Sequence, residues 1–453
     1  MTIKVRFAPS PTGYLHLGNA RMAVLNYLLA LSLKGAYLLR IDDTDFKRVK
    51  PEYIEGVKED LAWLGIKWQE EFKQSDRLDV YNQFLENLKA NQRVYACYES
   101  NEELEYKRKL QLAKGHPPIY DRSMLNITAK QKLDYEKEGR RPYFRLKLEH
   151  TEIKWQDLIK GEISFKGENI SDPIVVREDG SFLYILTSVI DDVEKQITHI
   201  IRGEDHVVNT AIQIQMFKFL KAALPVFAHL PLITSSDGEG FSKRDGSLSL
   251  RSLRQQGMIP LAIANYLFSV GLGERNKIYQ NLEEISQDFL LSNYNTATTK
   301  FDEGKLLKIN LHLLQGLPFD DIQNKAKSLL KLDINEKFWQ LIKNNITKFA
   351  DIKDWYIACY GDLSKLASLS TNAEINSNLL HIALQTFPHN PWDENTWNIW
   401  VDKIKLQTPL KGKELFKPLR KAISGNDDGP ELKFLILLIG PEKIKQRLEQ
   451  ACS

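Results

Sequence analysis

The chain has 453 residues, 43% hydrophobic and 27% charged, with a formal net charge of +3. It is long enough for roughly two to four globular domains with sizeable cores, and it holds no internal repeat, no low-complexity stretch and no run approaching the ~18 apolar residues that span a bilayer. Three widely separated cysteines, Cys97, Cys359 and Cys452, exclude a disulfide framework or a cysteine-built zinc cluster, and the small net charge does not by itself announce a nucleic-acid partner.

Residues 3–7 alternate as a strand, a Pro/Gly turn follows to Gly13, and residues 17–32 carry helical apolar spacing that Gly35 breaks. Residues 36–41 read as a buried strand ending in acidic residues, which completes a βαβ unit. Pro51 opens a helix over 52–64, with Ile54, Val57, Leu61 and Leu64 as its apolar positions and Gly65 as its stop. Parallel sheets of this kind hold ligands at the carboxyl ends of their strands, where Ala8, Ser10 and Asp42 fall. From about 80 to 182 the pattern changes to a charged helix over 102–114, a Pro/Tyr turn at 117–120 and short strands around 143–148 and 163–165, as expected of an insertion between two halves of a nucleotide fold. Apolar runs at 183–189 and 197–201 read as strands that resume the sheet. Beyond Asp245 the pattern is mostly helical, at 253–271, at 305–314 and through 319–453.

Two short motifs far apart carry the chemistry. HLGN at 16–19 follows the run RFAPSPTG at 6–13 and opens the first helix. A strand-turn-helix unit sets phosphates against the positive end of a helix dipole. There His16 can donate to a phosphate oxygen, Gly18 lets a nucleotide approach the backbone, and Asn19 supplies another polar contact. FSKR at 241–244 lies among Gly238, Gly240 and Gly246 and supplies Lys243, whose flexible ammonium can close on phosphates and neutralise charge as a phosphate bond breaks. Together the motifs suggest adenylate chemistry; taken singly, His16 orders a helix turn and 242–244 form a solvated loop. Between 403 and 421 there are seven basic residues against one acidic, Glu414. In isolation such a run is a solvated helix face, and it also fits a phosphate backbone.

In RFAPSPTGYLHLGNAR (6–21), LRIDDTD (39–45), VIDDVEKQITHIIRGEDH (189–206) and FSKRDG (241–246) the chain resembles the bacterial-type glutamyl-tRNA synthetases, which are class I aminoacyl-tRNA synthetases. PLRKAISGNDDGP (418–430) resembles their C-terminal domain, so the resemblance spans nearly the whole chain in the family's order. It implies an α/β fold with a Rossmann-type catalytic domain in two halves, 1–79 and 183–245, around an α+β acceptor-end-binding insertion at 80–182. A helical stem-contact domain at 246–318 and an all-α anticodon-binding domain at 319–453 would follow. The implied reaction activates L-glutamate with ATP to glutamyl-adenylate and transfers glutamate to the 3′ end of tRNA(Glu). By resemblance His16 and Lys243 are catalytic, and Thr12, His16, Gly18, Asn19, Lys243 and Arg244 hold ATP. Glutamate is assigned to Arg6, Ala8, Ser10, Asp42, Tyr184, Ser188 and Arg202. A guanidinium can grip a carboxylate through two parallel hydrogen bonds and leaves a glutamine amide poorly matched; the structural alternative for Arg202 is an ion pair with Glu204 or Asp205. Lys417, Arg420 and Lys421 fit tRNA phosphates, whereas Trp355, Tyr356, Trp392, Trp397 and Trp400, at helical spacing, read as core rather than as base-stacking residues.

The chain departs from the family pattern in three places. Gly240 stands where a second lysine is common, so Lys243, with Arg244 beside it, carries the phosphate role. Asp42 stands where the family usually has glutamate, which predicts a shifted backbone or a bridging water toward the substrate ammonium, while Asp43 and Asp45 fix the local turn. Cys97 is followed by Tyr98 and Glu99, residues 120–127 hold no cysteine or histidine, and His116 alone cannot complete a tetrahedral site. No protein-bound metal, structural zinc included, is therefore expected, and Mg2+ accompanies ATP.

Other readings are a related enzyme that also charges tRNA(Gln) with glutamate, a base-modifying relative, and a non-catalytic tRNA-binding paralogue. Base-modifying relatives lack the anticodon domain, and a silent paralogue fits poorly with the presence of His16, Lys243, Arg6 and Arg202. The start MTIKVRFAPSP lacks the basic-then-apolar shape of a signal peptide, so a cytoplasmic monomer without membrane contact is expected.

Overall fold

Lys4–Phe7 (β1) pairs in parallel with Ala36–Ile41 (β2), and Leu17–Ser32 (α1) makes the crossover between them. Glu70–Lys73 (β3), reached through Pro51–Trp63 (α2), adds to the other edge of β2, giving the parallel order β1-β2-β3. α1 is apolar and buried around most of its circumference, as a helix enclosed by its surroundings must be. The end of α1 differs in detail from the expected glycine stop. Lys34, not Gly35, takes the left-handed conformation (φ 49°), and the N–H groups of Lys34 and Gly35 return to the carbonyls of Leu31 and Ala30. Gly35 is required by closeness instead, because a Cβ there would lie 2.6 Å from the Ile3 carbonyl oxygen.

The computed structural model describes residues 2–235, 249–273, 277–365, 377–389 and 391–452, so the FSKR motif with Lys243 and Arg244 lies outside the described residues. Among the described residues no helix is long and apolar enough to cross a membrane.

The residues between 80 and 182 are divided between two sheets. Leu78–Ala90 (α3) leads into Val94–Cys97 (β4); then come Asn101–Ala113 (α4) and Ala129–Lys137 (α5), and Tyr143–Leu146 (β5) pairs antiparallel with β4. Capping boxes start both α4 and α5, Ser100 with Glu103 and Thr128 with Gln131. Glu152–Asp157 (β6) and Gly161–Lys166 (β7) form a hairpin that joins a different sheet, while Ile174–Val176 (β8) returns to pair with β5. Just before α4 the buried Glu99 carboxylate accepts from Lys107 Nζ (2.7 Å), Tyr120 OH (2.7 Å), Ser123 Oγ (2.8 Å) and Tyr143 OH (3.0 Å). Burial by itself raises its pKa, and these donors outweigh burial and hold the carboxyl below the usual range.

Residues 184–194 correct the sequence reading: the apolar run taken for a strand is a helix, Tyr184–Glu194 (α6). Residues 185–192 are all buried, so the run shows no polar face, and a short all-buried helix has the same hydrophobic profile as a central strand. His199–Gly203 (β9), Val207–Phe219 (α7) and Val226–Leu230 (β10) follow, and the hairpin completes a sheet of order β7-β6-β10-β9. The Thr198 N–H donates to the Lys4 carbonyl (2.9 Å), so β9 runs beside β1. Three parallel strands on one side of β1 and two on the other make a doubly wound arrangement with its switch point beside β1. Leu38, Leu186, Val189, Ile200, Ile214 and Phe227 pack in the apolar core of this unit.

The fold divides into two compact units, Met1–Leu253 with Ile263–Asp302 and Arg254–Ala262 with Glu303–Ser453. Among its described residues the second unit is helical. Trp355, Trp397 and Trp400 are buried in its core, with Tyr356 and Trp392 packed against that core. Arg447, on the helix Pro441–Cys452, donates to the carbonyls of Ala358 (2.7 Å), Ile423 (2.6 Å) and Gly361 (3.1 Å). The first two belong to the last turns of the helices Asp351–Tyr360 and Lys413–Ser424, where carbonyls lack helical partners and a cation is favoured. Arg447→Met should therefore lower the stability of this unit by about 2–5 kcal/mol. The check is chemical denaturation followed by tryptophan fluorescence; an unchanged midpoint would show that the three carbonyls find other donors.

Candidate active site

The carboxyl ends of β1 and β9 and the start of α1 enclose a cavity of about 520 Å3. Its chemistry begins beneath it, where α6 drives two adjacent carboxylates into the core. Asp192 accepts from Arg6 Nε (2.9 Å) and Nη2 (3.3 Å) on β1 and from Arg40 Nη1 (3.0 Å) on β2. Asp191 accepts from Gln74 Nε2 (2.8 Å), Arg77 Nε (2.8 Å) and Tyr81 OH (3.0 Å). Arg40 also donates to both oxygens of Asp42, at 2.6 and 3.1 Å. Three guanidiniums thus meet three carboxylates, and the cluster carries no net charge.

This network places the expected glutamate residues unevenly. Arg6, Ala8, Ser10, Tyr184 and Arg202 line the cavity, whereas Asp42 and Ser188 are not among its lining residues. The Asp42 carboxylate is committed to Arg40, and burial pushes its pKa up to about 6 against the pull of that guanidinium. Ser188 accepts from Gln213 Nε2 (2.8 Å). Arg202 pairs with neither Glu204 nor Asp205: Nε donates to His229 Nε2 (3.3 Å), Nη1 to Tyr184 OH (3.1 Å), and Nη2 to Thr210 Oγ1 (2.6 Å) and Gln213 Oε1 (2.6 Å). A guanidinium has five N–H groups, and one on Nη1 is left over. The Tyr184 hydroxyl accepts from Arg202, so its own hydrogen is also available. That Nη1–H and that O–H make a composite two-donor fork for a carboxylate.

Thr12, His16, Gly18 and Asn19 of the expected ATP set line the same cavity. His16 is the N-cap of α1, and its Nδ1 accepts from the N–H groups of Gly18 (3.1 Å) and Asn19 (3.4 Å). Two donors on Nδ1 leave the ring proton on Nε2, which makes His16 a hydrogen-bond donor. A Cβ on Gly18 would lie 3.0 Å from His16 Cε1 and Nδ1, so the glycine makes room for the ring.

The sequence reading missed Arg21, which also lines the cavity. Its Nη1 and Nη2 donate to the carbonyls of Pro231 (2.7 Å) and Val270 (2.9 Å), and burial lowers its pKa to about 10. Neither Arg21 nor Arg202 is hydrogen-bonded to a carboxylate, and Asp205 is the one carboxylate among the described lining residues, so the cavity favours anions.

A family model described as tRNA synthetases class I (E and Q), catalytic domain, matches residues 2–308, and an anticodon binding domain model matches residues 306–452. The chain belongs to the class I tRNA synthetases. It is 42% identical over 449 residues to a glutamate–tRNA ligase of Azospirillum brasilense and 45% identical over 451 residues to glutamate–tRNA ligase 2 of Gluconobacter oxydans, each match covering 99% of both chains. The crystal structure of a glutamate tRNA ligase from Elizabethkingia meningosepticum in complex with its amino acid is 25% identical, with a TM-score of 0.79 over 100% of this chain and 99% of that one. Glutamate-tRNA synthetase from Elizabethkingia anophelis has the same identity and TM-score, with 100% of both chains covered.

On this synthetase scaffold the unassigned Asp191–Asp192 pair had a readable signal. Two carboxylates inside the apolar run 185–193 must be paired if the run is buried. Of the residues assigned to tRNA, Lys417 is exposed, Arg420 donates to the Pro430 carbonyl (2.8 Å), and Lys421 Nζ lies 4.0 Å from Asp427. Among the described residues no group of three or more His, Cys, Asp or Glu could hold a metal ion.

His206 also lines the cavity, beside Tyr184. Burial first, and then the positive charge of Arg202, lower its pKa to about 4, with Asp205 only partly opposing. In the unfolded chain it titrates near ~6.5. Between those values the unfolded chain binds a proton that the folded chain refuses, so stability is whole above pH ~6.5 and falls as the pH drops toward 4. His206→Asn should show a smaller loss of melting temperature between pH 7 and pH 5 than the parent protein, and an equal loss would place the neutral histidine elsewhere.

Proposed function

We infer that the chain is a glutamate–tRNA ligase. It activates L-glutamate with ATP, releasing pyrophosphate, and passes glutamate to the 3′ end of tRNA(Glu) with release of AMP. The observation that carries this reading is the convergence of Arg6, Arg202 and the capped helix start at His16 on one cavity, in a chain whose full-length relatives bear that name.

The side-chain carboxylate of glutamate meets the Nη1–H of Arg202 and the Tyr184 hydroxyl, with the remaining N–H groups of Arg6 alongside. A glutamine amide would turn an NH2 toward these donors and leave buried donors unpaired, a mismatch that discriminates strongly. Asp42 is bonded to Arg40 and does not line the cavity, so it reaches the substrate ammonium only through water or a local shift, and the lining residues Ser10 and Ala8 offer acceptors of their own. The α-carboxylate attacks the α-phosphorus in line, the Nε2–H of His16 donates to a phosphate oxygen, and Lys243, with Arg244 beside it, neutralises the departing pyrophosphate. Mg2+ would come with ATP and be held chiefly by the phosphates and water, and among the described residues one lining carboxylate, Asp205, could accept from that water.

In the proposed division of labour residues 80–182 take the acceptor end, 246–318 contact the stem and 319–453 bind the anticodon, with Lys417 and Lys421 on phosphates. Arg420 serves mainly by holding the Pro430 turn. The ligase works as a cytoplasmic monomer, the compartment of its tRNA and ATP.

The test supplies glutamate, ATP, Mg2+ and separately purified tRNA(Glu) and tRNA(Gln). Charging of tRNA(Glu) is expected, charging of both would extend the substrate range to tRNA(Gln), and charging of neither would overturn the reading. Lys243→Ala should lower kcat by roughly 10²–10³-fold while sparing tRNA affinity. An unchanged kcat would remove Lys243 from the transition state.

A further inference from the structure

Arg202 is held from behind by a histidine that is held in turn by an aspartate from another part of the chain. Asp157 ends β6, His229 lies on β10 and Arg202 on β9, three neighbouring strands of one sheet. All three side chains are buried, with Asp157 and His229 at 1% exposure or less. Asp157 Oδ2 lies 2.6 Å from His229 Nδ1, while Oδ1 accepts the backbone N–H groups of Ile159 (3.0 Å), Lys160 (3.0 Å) and His229 (3.2 Å). The carboxylate is therefore fixed in place by the hairpin turn and by β10.

We propose that Asp157 and His229 are positioning residues for glutamate recognition, which fix the imidazole tautomer that holds the Arg202 guanidinium in its binding orientation. The proposal rests on the reading of Arg202 as a glutamate ligand. An ionised carboxylate can only accept, so Nδ1 carries the ring proton and Nε2 presents its lone pair. That lone pair accepts from the Thr210 hydroxyl at 2.7 Å, whose oxygen in turn accepts from Arg202 Nη2, and it faces the Arg202 Nε–H at 3.3 Å, so the imidazole holds the guanidinium both directly and through Thr210. In the opposite tautomer an N–H on Nε2 would confront the N–H of Nε and donate to Thr210 Oγ1, sending the Thr210 hydrogen to the His206 carbonyl, so Arg202 would lose its acceptor at Nε and share the Thr210 oxygen with a second donor. Thr210 Oγ1 and Gln213 Oε1 grip Nη2 and Tyr184 OH accepts from Nη1, so the contact with His229 is the restraint on the third nitrogen, Nε. Nε and Nη2 together define the plane of the guanidinium, and with it the direction of the one Nη1–H that faces the ligand. A carboxylate that fixes the working tautomer of a histidine is a recurring device, and its loss commonly costs about 10–100-fold.

The alternative is that the pair only ties the β6–β7 hairpin to β10. Four variants separate the two cases, Asp157→Asn, His229→Gln, their combination, and Arg202→Lys, each measured for kcat and for KM toward glutamate, ATP and tRNA, with a melting curve. An amide in place of the Asp157 carboxylate no longer enforces the proton on Nδ1, so Asp157→Asn should raise the glutamate KM about 10–100-fold and move the ATP and tRNA values by less than about 3-fold. In His229→Gln the new amide oxygen can take the place of the imidazole lone pair without help from Asp157. That variant should stay within about 3-fold of the parent for glutamate, and Asp157→Asn should add little in its background. An equal effect of Asp157→Asn in both backgrounds, or one spread evenly over all three substrates, would overturn the proposal. If Asp157→Asn does not fold, His229→Asn carries the same test, since it keeps a donor for Asp157 but offers nothing to Arg202. A glutamate KM raised by His229→Asn and not by His229→Gln supports the proposal, and equal values defeat it. Arg202→Lys guards the underlying reading. An unchanged glutamate KM there removes Arg202 from the glutamate site, whereas a raised one with Asp157→Asn silent overturns the positioning role alone.

Discussion

The catalytic face depends on two adjacent carboxylates that α6 carries into the core. Asp192 ties β1 to β2 by accepting from Arg6 and Arg40, and Asp191 gathers Gln74, Arg77 and Tyr81 from the segment after β3 and from α3. A buried ion pair gains little over an apolar core of the same volume, but removal of one member strands a charge at a cost of about 3–5 kcal/mol. Such a network therefore specifies more than it stabilises. It sets the register in which the ends of β1 and β2 meet α6, and that register decides which side chains reach the cavity.

One consequence is that Arg6 arrives partly used. Its Nε and Nη2 are bonded to Asp192, and Arg202 retains a single N–H after meeting four uncharged partners. Neither guanidinium can offer its full planar fork to a ligand, so two parallel hydrogen bonds to a carboxylate come from Arg202 together with Tyr184. Arg202 and Arg21 are nonetheless buried cations without a bonded carboxylate, and an anionic ligand relieves the desolvation that lowers their pKa values.

Local features were legible in the sequence and long-range pairings were not. The βαβ unit could be read because alternation, helical spacing and turn residues agree over 3–41. The helix at 184–194 was misread because burial on all sides erases the periodicity that separates a helix from a strand. Arg40 and Asp42 stand two positions apart at the end of an extended segment, and side chains at i and i+2 share a face, so their pairing had a sequence signal. The expected reach of Asp42 toward a substrate ammonium took no account of that neighbour. By contrast Arg6 and Asp192 are 186 positions apart and Asp157 and His229 are 72 apart, and nothing local in the chain marks either pair.

The histidines show why residue type alone under-determines a site. His16 and His229 are neutral imidazoles with opposite functions, set by what meets Nδ1. The backbone N–H groups of Gly18 and Asn19 donate to Nδ1 of His16 and force its proton onto Nε2, so the cavity side is a donor. The carboxylate of Asp157 accepts from the Nδ1–H of His229, which keeps the proton there and leaves Nε2 as an acceptor. A donor suits a phosphate oxygen and an acceptor suits a guanidinium, so each tautomer matches the charge of its neighbour. In both cases the choice is made on the side of the ring away from the ligand, by a helix start in one and a strand end in the other.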